Sequence, residues 1–277
     1  MTNIRRKACY YLERLHRRTL GCFRDADWIT SAVVFAPHPD DEILGCGGVA
    51  RRKILSSADV RFVFVTDGSA SHSRLVPPAT LIAMREAEAV DAVGRLGGAA
   101  DRVTFLRFKD GTAIDQVDRI AEAIEPLLTA WRPQSVFLPH AQEPPRDHLA
   151  VNRGVKAALE AYGQPVTVFE YAVWYWYHWP WVRFGGDLPG MWRTTLRQTI
   201  RTAAGLRTMG TLNTLADVRD VLDTKREALA AHASQMRRPG GRHDWTVLAD
   251  LSQGDFIARL MASYEAFTRY EVNGGAP

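Results

Sequence analysis

The stretch Ala36-Pro37-His38-Pro39-Asp40-Asp41-Glu42 constrains this chain more than any other. An apolar run, residues 31–36, leads into it, and an amphipathic segment, residues 42–55, leads out. A histidine and two carboxylates therefore sit where a buried strand ends and a helix begins. In open α/β sheets that edge is where ligands bind. Pro39 fixes its own φ and biases His38 away from helical geometry, so the turn is stiff. His38 and Asp41, three apart on such a turn, can both face one ion.

Residues 60–65 are apolar apart from Arg61 and read as a second buried strand, closed by the turn Thr66-Asp67-Gly68. A polar stretch containing His72 follows, and Pro77-Pro78 ends it. Residues 79–96 predict a helix stopped by Gly97-Gly98. Residues 103–108 predict a third strand ending at Asp110-Gly111. A helix over 114–131, a strand over 135–138, a helix over 149–162 and a strand over 166–173 follow. Between the fourth strand and its helix runs a polar loop through His140, Pro145, Arg146 and Asp147 to His148. This alternation predicts an α/β fold, a Rossmann-like, mostly parallel sheet flanked by helices. No G-x-G-x-x-G follows the first strand and no P-loop is present, so a dinucleotide cofactor is not indicated.

After residue 173 the pattern changes. Trp174, Trp176, Trp179, Trp181 and Trp192 fall within nineteen residues, together with Tyr175 and Tyr177. Such a cluster suits either stacking on sugar rings or a buried lid. Residues 194–206 predict a basic helix, 217–232 another helix, 237–244 a loop, and 252–270 a final helix capped by Ser252. The expected organisation is a basic N-terminal helix over 1–27 and a single domain over 28–277. Its sheet core covers about 28–173, and an aromatic-rich C-terminal extension, 174–277, packs on it.

Apolar residues make up 46% of the 277, enough for a sizeable core. Cys9, Cys22 and Cys46 are odd in number and lack CxxC spacing, which argues against a disulfide framework and fits a cytoplasmic setting. The net charge of +4 is modest, and no basic helix interleaved with aromatics marks a nucleic-acid surface. The N-terminus concentrates Arg5, Arg6, Lys7, Arg14, Arg17, Arg18 and Arg24 among Ile4, Tyr11, Leu12, Leu15 and Leu20. It reads either as a solvated helix packed on the domain or as a peripheral contact with anionic lipid. Nothing in it resembles a secretory signal, and no apolar run of ~18 residues occurs to span a membrane.

Strand ends on one edge of a parallel sheet converge, so His148 can complete a two-histidine, one-carboxylate set with His38 and Asp41. Three protein ligands and an open position are the pattern of a catalytic zinc site, and the same donors suit Fe2+. Asp40 adjoins a ligand but points elsewhere, where it can serve as general base. On the local residues alone, a helix N-terminus with acidic capping residues is an equal reading.

Further motifs point to a family. Arg85-Glu86-Ala87-Glu88-Ala89 lies on a helix ending in Leu96-Gly97-Gly98, and Asp147-His148 opens a later one. With the His38 motif and Thr66-Asp67-Gly68, these resemble the PIG-L/LmbE-like family of zinc-dependent N-acetylglucosamine deacetylases. The resemblance runs from residue 32 to about 172. It extends more weakly through Glu170-Tyr171, Trp174, Lys225, His232, Ser234-Gln235, Glu265 and Phe267, most of the chain beyond the first 27 residues. It implies His38, Asp41 and His148 as zinc ligands, Asp40 as general base and Asp147 as a group behind a ligand. It also implies Arg85 as a substrate-binding arginine on its helix, and hydrolysis of an N-acetyl group from an amino sugar or its conjugate.

The sequence departs from the family at one point. Many relatives read His-Pro-Asp-His at the second site, where this chain has Pro145-Arg146-Asp147-His148. The missing histidine serves in relatives as oxyanion or amine partner. His140, His72, Arg146 and Tyr171 are the candidates to replace it. Losing one such donor typically costs about 10²–10³ in kcat. A metal-retaining carbohydrate-binding relative, and an amidase acting on a non-sugar natural-product precursor, are therefore the competing functions.

Overall fold

A computed structural model describes residues 3–184 and 190–273. The chain begins with α1 (Asn3–Thr19), β1 (Gly21–Cys22) and α2 (Asp25–Ile29). The alternating part follows: β2 (Ala32–Ala36), α3 (Asp41–Leu55), β3 (Val60–Thr66), α4 (Pro78–Arg95), β4 (Val103–Phe108) and α5 (Val117–Trp131). It continues through β5 (Ser135–Pro139), α6 (Arg146–Tyr162) and β6 (Val166–Tyr171). The remainder holds α7 (Met191–Arg201), α8 (Thr208–Thr211), β7 (Thr214–Asp217), α9 (Leu222–Ala231), α10 (Ala233–Met236), α11 (Asp255–Leu260) and β8 (Tyr264–Val272).

The sheet runs β1-β7-β8-β6-β5-β2-β3-β4. From β2 the chain steps outward through β3 to β4. It then returns to the other side of β2 and steps away through β5 and β6, every pairing in this half being parallel. Crossovers therefore leave β2 and β5 in opposite directions. A crevice opens at their C-terminal ends, the place where such sheets bind ligands. The continuous apolar runs of these strands reflect helices on both faces. Val34, Ala36, Phe62 and Phe64 face one core with Val49, Ala89 and Val93 of α3 and α4. Val33, Phe35, Val63 and Val65 face the other, with Ile120, Ile124, Val151 and Val155 of α5 and α6.

The C-terminal part corrects the expected final helix. Only Asp255–Leu260 is α-helical, and residues 264–272 form β8, inserted antiparallel between β6 and β7. Ser252 is no N-cap: its φ is +50°, and the helix starts after Gly254. The stretch Tyr-Glu-Ala-Phe-Thr-Arg-Tyr-Glu-Val is rich in aromatic and β-branched residues, and pairing on both edges decides its conformation. The helix expected over 217–232 is likewise shorter, since its first residue ends β7.

Buried charge ties these parts together. Lys225 Nζ on α9 lies 2.8 Å from Glu265 Oε1 on β8, both side chains fully or nearly fully buried. The ammonium also donates to the carbonyls of Leu260 and Leu44, and Glu265 accepts the N–H groups of Gly48 and Val49. Glycines let α3 approach: a Cβ on Gly45 would stand 2.2 Å from the Tyr171 ring. At the N-terminus, Arg5 of α1 pairs with Asp255 at 2.7 Å and His16 bonds Thr208 at 2.9 Å. Among the described residues no helix is long and apolar enough to cross a membrane.

Lys225→Met leaves Glu265 buried without its cation. Such a break costs roughly 3–5 kcal/mol, and the urea unfolding midpoint should fall accordingly, whereas Arg226→Met on the exposed side of α9 should leave it in place.

Candidate metal centre and active site

His38 leaves the end of β2, Asp41 opens α3, and His148 lies in the first turn of α6 after β5. The reversal of strand order brings the three together. Asp41 Oδ2 lies 3.2 Å from His38 Nδ1 and 3.3 Å from His148 Nε2. One ligand atom from each of the three residues fits within 4.8 Å of the others. His148 is fully buried, yet neither ring nitrogen makes a hydrogen bond, Nδ1 facing Glu143 and Nε2 facing Asp41. Leaving a buried polar atom unsatisfied costs about 1–3 kcal/mol. A divalent cation among these atoms removes that cost, and two imidazoles with one carboxylate are a zinc or ferrous donor set. The residues present therefore fit a metal.

Carboxylates stand behind both imidazoles. His38 Nε2 lies 3.2 Å from Asp110 Oδ1 and 3.4 Å from Asp147 Oδ2. Asp147 is fixed by the N–H groups of Gly111 and Ala113, and Asp110 by that of Ala70. His148 Nδ1 lies 3.2 Å from Glu143, whose buried carboxylate accepts the N–H groups of Val173, Trp174 and Tyr175. Such partners set ring orientation and raise ligand basicity. Burial alone would lower both imidazole pKa values. The carboxylates override it, so His38 is raised well above its ordinary value, by Asp110, Asp147 and Asp41, and His148 is pushed up to about 9. Burial would likewise raise Asp41, but His148 and His38 hold it below the usual carboxylate range.

Asp40 is held in a conformation that few residues adopt, φ +137° and ψ −30°. Strain of this kind costs of order 1–3 kcal/mol and needs a scaffold. Its N–H donates to Glu42 Oε2 at 2.9 Å, and Glu42 Oε1 lies 2.7 Å from His232 Nε2, with Glu42 and His232 wholly buried. Arg85 donates to the carbonyls of Gly68 and Pro39, and its guanidinium lies 3.5 Å from Asp40 Oδ2. Burial pushes the Asp40 carboxyl up to about 7, against the pull of Arg85 and with a push from Asp41.

These groups open into a cavity of about 340 Å³. Its polar end carries His38, Asp40, Asp41, Asp110 and His148, and its apolar wall Leu44, Trp174, Leu248 and Phe256. Ser71, Arg85, Pro145 and Gln235 also line it. The four candidates for the missing histidine are not among the lining residues. His72 stacks on Trp245 at 4.0 Å and bonds the Thr246 carbonyl. His140 stacks on Tyr175 and accepts the Gln142 N–H. Arg146 is exposed beside Asp115, and the Tyr171 hydroxyl donates to the buried Phe35 carbonyl. Of the tryptophans, Trp174 lines the cavity, whereas Trp176 and Trp181 are buried around Arg259.

Sequence reasoning missed Asp110, Glu143 and Glu42. Asp110 carried a signal, since Asp110-Gly111 marks the end of a strand on the same edge. Glu143 and Glu42 carried none beyond their nearness to the motifs. Their partners are backbone N–H groups and a histidine distant in the chain.

The GlcNAc-PI de-N-acetylase (PIG-L) family matches residues 33–159. The chain is 30% identical over 254 residues to 1D-myo-inositol 2-acetamido-2-deoxy-alpha-D-glucopyranoside deacetylase of Rhodococcus opacus (strain B4). That match covers 78% of this chain and 85% of the relative. Among solved structures, the zinc-inhibited form of teicoplanin deacetylase Orf2 aligns at TM-score 0.63 and 18% identity, over 90% of this chain and 100% of that one. The N,N'-diacetylchitobiose deacetylase from Pyrococcus horikoshii aligns at 0.56 and 18%, over 88% and 84%. At these identities the structures speak for the fold, and the sequence relatives for descent. The chain belongs to the PIG-L/LmbE-like family of deacetylases.

Proposed function

We propose that this protein is a metal-dependent hydrolase that removes the N-acetyl group from an N-acetylglucosamine-type sugar conjugate. The observation that carries this reading is the convergence of His38, Asp41 and the buried His148 beside the braced carboxylate of Asp40. The names of the Rhodococcus relatives support the substrate class.

His38, Asp41 and His148 would hold the ion, zinc or ferrous iron. Bound there it supplies Lewis acidity toward an acetamide carbonyl and acidifies water. Asp40 takes the proton of the attacking water on its carboxylate and returns it to the amine nitrogen as the C–N bond breaks. Arg85 acts as a strut, since its guanidinium holds the Pro39 and Gly68 carbonyls and keeps Asp40 aimed at the cavity. Asp110, Asp147 and Glu143 orient the imidazoles. Leu44, Trp174, Leu248 and Phe256 give the sugar and its conjugate an apolar wall. With proline at 145, the neutral donors left to meet the oxyanion are Ser71, Trp174 and Gln235, all on the cavity. Pro145 also favours a second reading, a relative that keeps the metal and binds sugar without turning it over.

Acetate release from N-acetylglucosaminyl-inositol and other N-acetylglucosamine conjugates by the metal-loaded protein separates the two, because sugar affinity without acetate would leave only the second. Asp40→Asn should lower kcat by about 10²–10⁴ while bound metal, measured by elemental analysis, is unchanged. Wild-type kcat/KM should rise with pH, since the base works deprotonated. Its acid limb should lie at or below about 7, a bound cation adding to the pull of Arg85.

Metal uptake should itself be pH-linked. His38 and His148 have raised pKa values, so binding displaces protons, and affinity should climb roughly tenfold to a hundredfold per pH unit below about 9. Competition with a chromophoric chelator across a pH series measures this slope, and His148→Ala should abolish binding.

A further inference from the structure

Helix α7 presents its faces in reverse. Thr195 and Gln198, with Thr202 just past its end, are 1–2% exposed, while Trp192, Leu196 and Ile200 are 50%, 42% and 70% exposed. Spaced four apart, those three apolar residues form one outward stripe. Arg193, Arg197 and Arg201 form the adjoining row, also exposed. Leu206, 55% exposed, and Arg207 extend the patch. Residues 191–207 hold four arginines and no acidic residue.

Helix α1 packs on the same support. The Trp179 N–H donates to Thr199 of α7, while Arg5 and Cys9 of α1 donate to the carbonyls of Trp181 and Pro180. Leu12 of α1 lies 3.1 Å from where a Cβ on Gly205 would stand, in the segment leaving α7. The outer side of α1 exposes Ile4, Tyr10 and Tyr11 among Arg6, Lys7, Arg14 and Arg18. Residues 3–19 carry a net +5 and residues 191–207 a net +4, against +4 for the whole chain. The rest of the molecule is therefore acidic overall, and the positive charge is concentrated beside the apolar stripe.

We propose that α7, with the basic outer side of α1 beside it, docks this protein on an anionic lipid bilayer. A helix with Trp, Leu and Ile on one face and arginines flanking them suits the boundary between headgroups and acyl chains. The arginines then meet the negative surface that anionic lipids create. A second copy of the chain fits less well. A two-fold contact through this stripe would set the same arginine rows against each other. The docking surface also connects to the catalytic cleft, since the segment that begins at Trp174 on the cavity runs through Trp179–Trp181 under both helices. The inference goes beyond the deacetylase reading and does not depend on it.

Flotation of the full-length protein with phosphatidylcholine vesicles, with and without phosphatidylglycerol, tests the proposal. Binding is expected only to the anionic vesicles, weakening as salt rises. Trp192→Ser with Ile200→Ser should lower partitioning by about tenfold or more, and Arg193→Glu with Arg197→Glu should abolish it. Both changes lie on exposed positions, so the thermal unfolding midpoint and bound metal should match wild type. The proposal is overturned if wild-type protein ignores anionic vesicles or if the Trp192/Ile200 variant floats as well as wild type. It is also overturned if light scattering finds a dimer that this variant dissolves while vesicle binding is absent.

Discussion

Charge taken out of water must be matched by charge or by hydrogen bonds, and this protein buries a great deal of it at one place. His38, Asp40, Asp41, Glu42, Arg85, Glu143, Asp147, His148 and His232 crowd the ends of β2 and β5. Each is matched by another member of the group or by backbone. His232 faces Glu42, Glu42 accepts the Asp40 N–H, Arg85 reaches Asp40, and Asp41 lies between two imidazoles. The exceptions are both ring nitrogens of His148, which face Glu143 and Asp41 without a hydrogen bond, with His232 Nδ1 and Arg85 Nε. Within the cluster, His38, Asp41 and His148 form a donor set that could hold a cation.

That requirement shapes the surrounding fold. Glu143 gathers three successive N–H groups from the segment after β6, and so places Trp174 on the cavity wall. The Lys225–Glu265 pair fastens α9 and β8 to α3, the helix that Asp41 opens. Parts of the chain far from the cavity thereby hold the strained turn at Asp40. A flexible turn could not keep a carboxyl with its pKa near neutrality pointed at the cavity beside Asp41.

Much of the fold was legible in residue pattern. The parallel strands appeared as apolar runs, because both of their faces are covered, and α4 ended before Gly97-Gly98 and α5 before Pro133 as expected. What local pattern could not reach was β8. Its residues alternate too weakly to declare a strand, and only the free edges of β6 and β7 give it one. Within the site, His38, Asp41 and His148 were legible because proline, a strand end and a helix start place them. The braces were not. Glu143 looks like one more loop acid, and the pairing of Glu42 with His232 spans 190 residues.

The sequence by itself determined the chemistry on offer: a stiff His-Pro-Asp-Asp turn at a strand end and an Asp-His opening a later helix. Those are local facts of residue type and spacing. Tertiary structure decided which groups meet. It put Tyr171 beneath α3, His72 and His140 into aromatic stacks, and Arg146 on the surface, so that none of them lines the cavity. It also turned α7 outward, apolar side to solvent. Both outcomes rest on packing between segments distant in the chain, which no window of sequence contains.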